Sequence, residues 1–511
     1  MNSVPTSPMA FDRSQFRPRS VRKTLVAPAR PTARENEWLP LSNLDRVVTP
    51  TFSSVIHFYE SAITASRSFE SVVRDLRQSL AEVLVHFFPL GGRLKLRDDG
   101  LMDLHCNDEG AVFVTATLRQ TLGELGGPRT MDGLSGLEIA RLGRGPIYIP
   151  DQLTPIATLV VQVTQFLCGA VAIATNWHHS VADGSSGCHF IKSWSEVATG
   201  CGLSVEPNHE RMLLNPRPNP DPSLVQGYST KSSHSLNRVN LEVQNSDGPR
   251  ALEPPVLGTF DLDKEIVLRL KDKVNFESEE DDNSMRKFTS AESITGTLWQ
   301  QMARARSEGR AEKFDPDHQQ QQQQTMTRFF MFVDGRKKLN MPPGYFGNVV
   351  CSACAVSTEG EILQRPAAYA AGLIRKACAN VSADYFRSLI DWVEVQGTTP
   401  SKSEHVNSVG RDVAATFWTF FPLYEMDFGL GRPSFAARNS PARPLIDGIA
   451  MMPSPRGPGH MIALLNLHRD RMTRIQKDPE FSSIFSSIPT ATALSCDVSM
   501  SYGKSELPVG H

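Results

Sequence analysis

HHSVADG, residues 178–184, follows directly on ATLVVQVTQFLCGAVAIATNW, residues 157–177. The longer run is β-rich on both sides of Gly169 and reads as a hairpin whose second arm runs into the two histidines. Beyond the motif, Phe190, Ile191, Trp194 and Val197 fall on one face of a helix. The order is therefore strand, histidine-containing turn, helix. Such a turn has three uses. A metal site needs three or four ligands, and only His189 lies near enough to add to the pair, among hydrophobic strands; no metal is expected. A general base needs a histidine at a cavity edge with its tautomer fixed, which a rigid strand ending in a tight turn supplies. Asp183, four residues after His179, is then an anchor for the loop, and Gly184 lets the backbone turn sharply. The bland use is a satisfied core histidine beside an N-capping aspartate, the commoner meaning of HxxxD taken alone.

The rest of the chain sets the frame. It has 511 residues, more than one core usually serves, so two domains are expected. It is 40 % hydrophobic and 21 % charged with net charge −2, a balance that gives no case for nucleic-acid or membrane partners. No apolar run reaches the roughly 18 residues of a membrane span. The eight cysteines show no framework spacing, and Cys351 and Cys354 form a lone CxxC. Reduced thiols in a cytoplasmic protein are expected. Residues 1–30 are rich in Arg, Ser and Pro, which fits a disordered tail or an organellar transit peptide.

Residues 68–88 place Val72, Val73, Leu76, Leu80, Val83 and Leu84 on one helical face, ended by Pro89 and Gly91–Gly92. Strands with turns at Asp99–Gly100 and Glu109–Gly110 follow. Residues 205–255 hold Pro, Ser and Asn with little periodicity and read as a linker. A second block opens near 256, with a helix over Ser290 to Arg306 and strands around RFFMFVDGR (328–336) and NVVCSACAV (348–356). Residues 366–395 are helical, and a Gln-rich polar insertion spans 311–325. The expected fold class is α/β with two mixed sheets.

Three ordered motifs add a resemblance. His179-Ser-Val-Ala-Asp183-Gly184, GYFGN at 344–348 and DFGLG at 427–431 resemble the HxxxDG, central and DFGWG motifs of the BAHD acyltransferases, plant enzymes that move acyl groups from coenzyme A to alcohols or amines. LSNLDRVV (41–48), FFPLGGRLK (87–95) and TFWTFFPLYEMDFG (416–429) extend the likeness. It implies two similar-sized domains of the chloramphenicol-acetyltransferase-like type with a solvent channel between them: a tail at 1–21, a first domain at 22–204, the linker at 205–255 and a second domain at 256–511. A segment within 390–425 is expected to cross back into the first sheet.

The chemistry follows from the thioester. A thiolate leaves readily, so the work is to make a hydroxyl nucleophilic and to carry charge on the carbonyl oxygen. His179 is expected to take the acceptor proton and return it to the sulfur, with no acyl-enzyme. The resemblance makes Trp418 N–H the oxyanion donor and pairs Asp183 with Arg336. It groups Asp427 with the catalytic set, although a structural part is expected of it. His57 and Thr416 are expected to line the acceptor pocket; Ser290 and Lys287 are expected to meet coenzyme A, with Ser290 as a helix N-cap the plain alternative. Acyl-CoA enters as co-substrate, no cofactor is permanently bound, and a monomer is expected.

Several stretches look closest to the hydroxycinnamoyl-transferring branch. Two departures stand out: Leu430 replaces the usual tryptophan of DFGWG, and Ser403 stands where shikimate-using members carry an arginine for the acceptor carboxylate. Two readings stay beside this one. A peptide-synthetase condensation domain shares HHxxxDG, but this chain carries GYFGN and DFGLG and no carrier domain. A non-catalytic relative that binds small molecules is the second.

Overall fold

The computed structural model describes residues 20–60, 67–98, 100–123, 155–225, 228–229, 256–279, 286–311, 325–397, 402–403, 411–438 and 447–487. The expected tail up to residue 19, most of the 311–325 insertion, and residues 230–255 of the linker lie outside this set.

The hairpin that carries the motif is the centre of the first domain. Leu159–Gln165 and Val171–His178 pair antiparallel, turning at Gly169, whose φ of 84° is one a side chain rarely adopts. Around them lies a six-stranded sheet in the order Ser20–Val26, Ala111–Thr117, Leu159–Gln165, Val171–His178, Phe52–Tyr59, Phe435–Arg438. Its one parallel step joins Ala111–Thr117 to Leu159–Gln165. Helix Phe69–His86, capped by the Ser68 hydroxyl, buries Val72, Leu76, Leu80, Val83 and Leu84 beside helix Gly184–Ala198. Trp194 of the second helix donates to Ser79 Oγ of the first at 3.1 Å. A buried indole keeps its one polar atom satisfied in this way.

The second domain is built on a seven-stranded sheet: Val350–Thr358, Met326–Asp334, Val413–Phe417, Gly448–Pro453, Met461–Leu467, Val256–Leu262, Ser486–Ser487. Helices Lys264–Glu279, Ser290–Ala311 and Ala367–Asn380 cover it, with Trp299 fully buried. Cys351 and Cys354 sit an odd number apart on one strand, so they point to opposite faces and share no ligand.

Two expectations need correction. The crossing back begins within the expected 390–425, at Trp418, but the strand that joins the first sheet comes later, at Phe435–Arg438. Val413–Phe417 stays in the second sheet, parallel to both neighbours. The chain then inserts Trp418, Leu423, Tyr424, Met426 and Phe428 into the first domain's core, and Phe435–Arg438 pairs antiparallel with Val55–Phe58. The strand FAAR is too short to announce itself by periodicity. Nor is the first part of the linker slack. Arg211–Leu214 forms a 3-10 turn with Arg211 and Leu214 buried, because its order comes from an ion pair rather than from an apolar stripe. Among the described residues, no helix is long and apolar enough to cross a membrane.

Candidate active site

The two histidines part company at the strand end. His178 is buried on the sheet face of the small Phe52, Val114 and Val160 cluster, edge-on to Phe52 at 5.4 Å, and its Nδ1 accepts the Ser180 N–H at 3.3 Å. Burial, then the neighbouring His179, pushes its pKa down to about 3. It is a neutral core residue. His179 lies one step past the strand; its backbone N–H donates to Thr51 O at 2.7 Å and its ring is partly exposed. The turn after it is held by Val181 N–H to His178 O at 2.9 Å and by the Trp177 indole N–H to Ala182 O at 3.0 Å. Gly187 lets the helix lie on that indole, since a Cβ there would stand 2.2 Å from the ring.

Two buried ion pairs clamp the turn. Asp183 caps helix Gly184–Ala198 through the Ser186 N–H at 2.9 Å. Arg336 donates to both its oxygens, at 2.8 and 2.9 Å, and Val349 N–H adds a fourth bond at 2.9 Å. Burial alone would raise the Asp183 pKa; the Arg336 charge and these donors overcome it and hold the group below 3.8. On the other flank Arg211 donates to Asp45 Oδ2 and to Val181 O. Asp45 also accepts from Ser42 and from both the backbone and side-chain N–H groups of Asn348, the latter at 2.9 and 2.8 Å.

Asn348 carries this order to the imidazole. Its Nδ2 faces two acceptors, Asp45 Oδ1 and His179 O at 2.7 Å, so its carbonyl oxygen must face His179 Nδ1, 3.2 Å away. An amide oxygen only accepts. Nδ1 therefore carries the proton and Nε2 keeps a free lone pair. Burial lowers the His179 pKa below 6.5; Arg438 lowers it further, and Asp183 and Asn348 oppose. Burial thus favours the neutral ring, and Nε2 has no hydrogen-bond partner among the described residues. Replacing Asn348 with alanine is expected to lower kcat/KM by about 10²-fold through misplacement of the ring. Nitrogen-15 spectra of the imidazoles check the cause: the wild type shows one tautomer for His179 and the variant a mixture.

The other expected site residues divide. Trp418 packs on the motif itself. A Cβ on Gly184 would lie 3.2 Å from its ring, and its centroid is 6.5 Å from that of Trp177. Gly184 is the first helical residue and has no positive φ, so the space it leaves, not a sharp turn, explains the glycine. The Trp418 N–H is already given to Thr416 Oγ1 at 3.1 Å, and the indole is 4 % exposed. It forms a wall in this state and is not poised as an oxyanion donor. Thr416 is partly exposed, and its own hydroxyl hydrogen is left to point elsewhere.

His57 does not line a pocket. It is fully buried, with its pKa pushed to about 3 by burial, and neither ring nitrogen makes a well-formed hydrogen bond. Asp427 makes no bond to His179. Its carboxylate closes the DFGLG bend on Gly431 N–H at 3.0 Å, where Phe428, Gly429 and Gly431 all have positive φ. Leu430 packs against the first domain's core.

Ser290 opens helix Ser290–Ala311 and Lys287 is exposed just before it. The cap there is Thr289, which exchanges bonds with Glu292, and not Ser290. Lys402–Ser403 pairs with Tyr228–Ser229. Among the described residues, no group of three His, Cys, Asp or Glu side chains is placed to hold a metal. Sequence reading missed Asn348, Asp45, Arg211 and Arg438 as site residues.

The chain is similar to known proteins over most of its length. The model of the Transferase family matches residues 19–482. A hydroxycinnamoyltransferase of Narcissus pseudonarcissus is 32 % identical over 463 residues, covering 89 % of this chain and 97 % of the relative. A shikimate O-hydroxycinnamoyltransferase of Nicotiana tabacum is 30 % identical over 459 residues, covering 89 % and 97 %. Vinorine synthase superposes with a TM-score of 0.65 at 19 % identity, over 92 % of this chain and 100 % of that one. F. graminearum TRI101 in complex with coenzyme A and T-2 mycotoxin gives 0.70 at 16 %, over 88 % and 100 %. A histidine held neutral at the head of HxxxDG, clamped by Arg336 and by the asparagine of GYFGN, sits in a chain matched over most of its length; the protein belongs to the Transferase family, the BAHD acyltransferases.

Proposed function

We propose that this acyltransferase moves a hydroxycinnamoyl-type group from its coenzyme A thioester to a hydroxyl or amine of a small acceptor, in one displacement with His179 as base. The observation that carries the reading is the Asn348 contact, which frees Nε2 to accept a proton. The acceptor X–H gives its proton to Nε2 as X attacks the thioester carbon. The tetrahedral centre collapses, the C–S bond breaks, and the proton returns from Nε2 to the thiolate. A positioned base of this kind contributes about 10²–10⁴-fold. Thr416 O–H, its oxygen already accepting from Trp418, is the donor for the carbonyl oxygen. Ser290 and Lys287 are proposed to meet coenzyme A, and the protein is proposed to act as a cytoplasmic monomer.

The relatives' names support both acceptor classes. One is a shikimate O-hydroxycinnamoyltransferase, and another acts on the amine of 5-hydroxyanthranilate. Leu430 keeps an apolar side chain in an apolar setting, so the departure from tryptophan leaves the DFGLG bend packed.

The test uses p-coumaroyl-CoA with a pool of alcohols and amines, read by mass spectrometry. Product is expected only when donor and acceptor are both present, and the protein's intact mass is expected to stay unchanged with donor alone. A stable acyl adduct on the protein, competent to react on, would overturn the single displacement. The pH profile has a fixed sign. Activity requires the neutral ring and the folded pKa lies below 6.5, so kcat/KM is expected to stay level above neutrality and to fall only on the acid side of 6.5.

A further inference from the structure

Among the described residues, Arg438 is a cation without a counter-charge. It ends the crossing strand opposite Val55, so its side chain leaves the sheet on the face shared with Thr175 and Trp177. Its guanidinium lies over the Trp418 indole, Cζ to ring centroid 5.7 Å, while Gly184 of the histidine motif approaches that same indole. Its Nε is buried and has no hydrogen-bond partner, and Arg438 makes no ion pair among the described residues. The contrast within the molecule is sharp. Arg93, Arg211, Arg306 and Arg336 are also withdrawn from solvent, and they pair with Glu109, Asp45, Glu359 and Asp183 respectively. Withdrawing a guanidinium from water without an anion is costly, and the cation–π contact offsets only part of that. Arg438 also acts on the base: its charge helps to lower the His179 pKa.

A guanidinium with no anion among the described residues, over the indole that packs on the histidine motif, calls for an anion brought by a ligand. The phosphates of coenzyme A sit at the far end of the pantetheine arm from the thioester. When the sulfur is at His179, they are elsewhere. The anion must then belong to the acceptor. Resting on the acyl-transfer reading above, we propose that Arg438 binds a carboxylate of the acceptor, so that the enzyme prefers hydroxy or amino acids to their uncharged counterparts. The carboxylate fills the fork's donors, and the nucleophilic hydroxyl or amine on the same small molecule is held toward Nε2.

The test compares matched acceptors: a panel of small hydroxy and amino acids, shikimate and anthranilate among them, each beside its methyl ester, with p-coumaroyl-CoA as donor. In the wild type, kcat/KM is expected to favour acid over ester. In Arg438→Gln the acid-to-ester ratio is expected to fall roughly 10- to 100-fold, the scale of a lost charge-assisted contact. Arg438→Lys is expected to recover part of the ratio, as a point charge in place of a fork. The wild-type comparison needs no variant and stands even if Arg438→Gln does not fold. An acid-to-ester ratio that Arg438→Gln leaves unchanged would overturn the proposal. So would transfer to esters that equals or exceeds transfer to acids; if that transfer still depends on His179, the base assignment survives. Transfer to no member of either series ends both readings.

Discussion

Alanine in place of His179 is expected to lower kcat by about 10²–10⁴-fold while leaving KM for acyl-CoA within a few-fold. The separation arises because the ring does its work only as the acceptor proton moves. Among the described residues its one side-chain bond is the 3.2 Å contact with Asn348, so the substitution removes little from the folded state. Unchanged thermal unfolding and far-UV circular dichroism check this. The neighbouring histidine is the internal control. His178 is buried, with a pKa near 3, and it holds the Ser180 N–H. His178→Ala is expected to lower stability first, and activity only as far as the turn loosens. If His179→Ala retained wild-type kcat, the base would lie elsewhere and the tautomer fixed by Asn348 would have no chemical meaning. The cavity left by the missing ring gives a positive test: added imidazole is expected to restore part of the rate, through the same proton transfer.

The sequence carried the local steps of this site and not its closure. Alternation on both sides of Gly169 and the apolar face after Gly184 are visible in a window of a dozen residues, and they produced the strand–turn–helix that holds the motif. The helix over Phe69–His86 was legible for the same reason. The contacts that make His179 a base span 169 residues to Asn348, and Asp45 lies 303 residues from it. No periodicity encodes such a pairing. GYFGN and LSNLDRVV were visible as strings, yet nothing local tells that the last residue of one and an aspartate of the other share a hydrogen bond. Arg211 was hidden by its surroundings, a Pro- and Asn-rich stretch that looks like linker. At Gly184 the backbone is ordinary rather than sharply turned, and what matters is the indole 3.2 Å from its missing Cβ, a neighbour more than 200 residues away in the chain that no local pattern reveals.

The second large effect concerns stability. Arg336→Met is expected to destabilise the fold by about 3–5 kcal/mol, because it leaves the Asp183 carboxylate buried without its counter-charge. Asp183→Asn is expected to act in the same direction. It leaves Arg336, the Ser186 N–H and the Val349 N–H competing for one amide oxygen where two carboxylate oxygens had served them. Calorimetry at one fixed scan rate measures both, and kcat is expected to fall alongside, since His179 stands four residues away on the same turn. Substituting both partners with apolar side chains of similar volume separates the two effects. The stability is expected to return in large part, because no charge is then stranded, whereas the activity is not, because the turn has lost its clamp. The pH dependence supplies a further check. The Asp183 pKa lies below 3.8 in the folded state, so its stabilisation is complete above that value and is lost as the pH falls through the folded pKa. Wild type and Asp183→Asn are therefore expected to converge in stability in strong acid and to stand furthest apart above pH 3.8. A gap that stays constant into acid would mean that the carboxylate's charge is not what secures the loop, and that the clamp is held by packing against Trp177 and Trp418 instead.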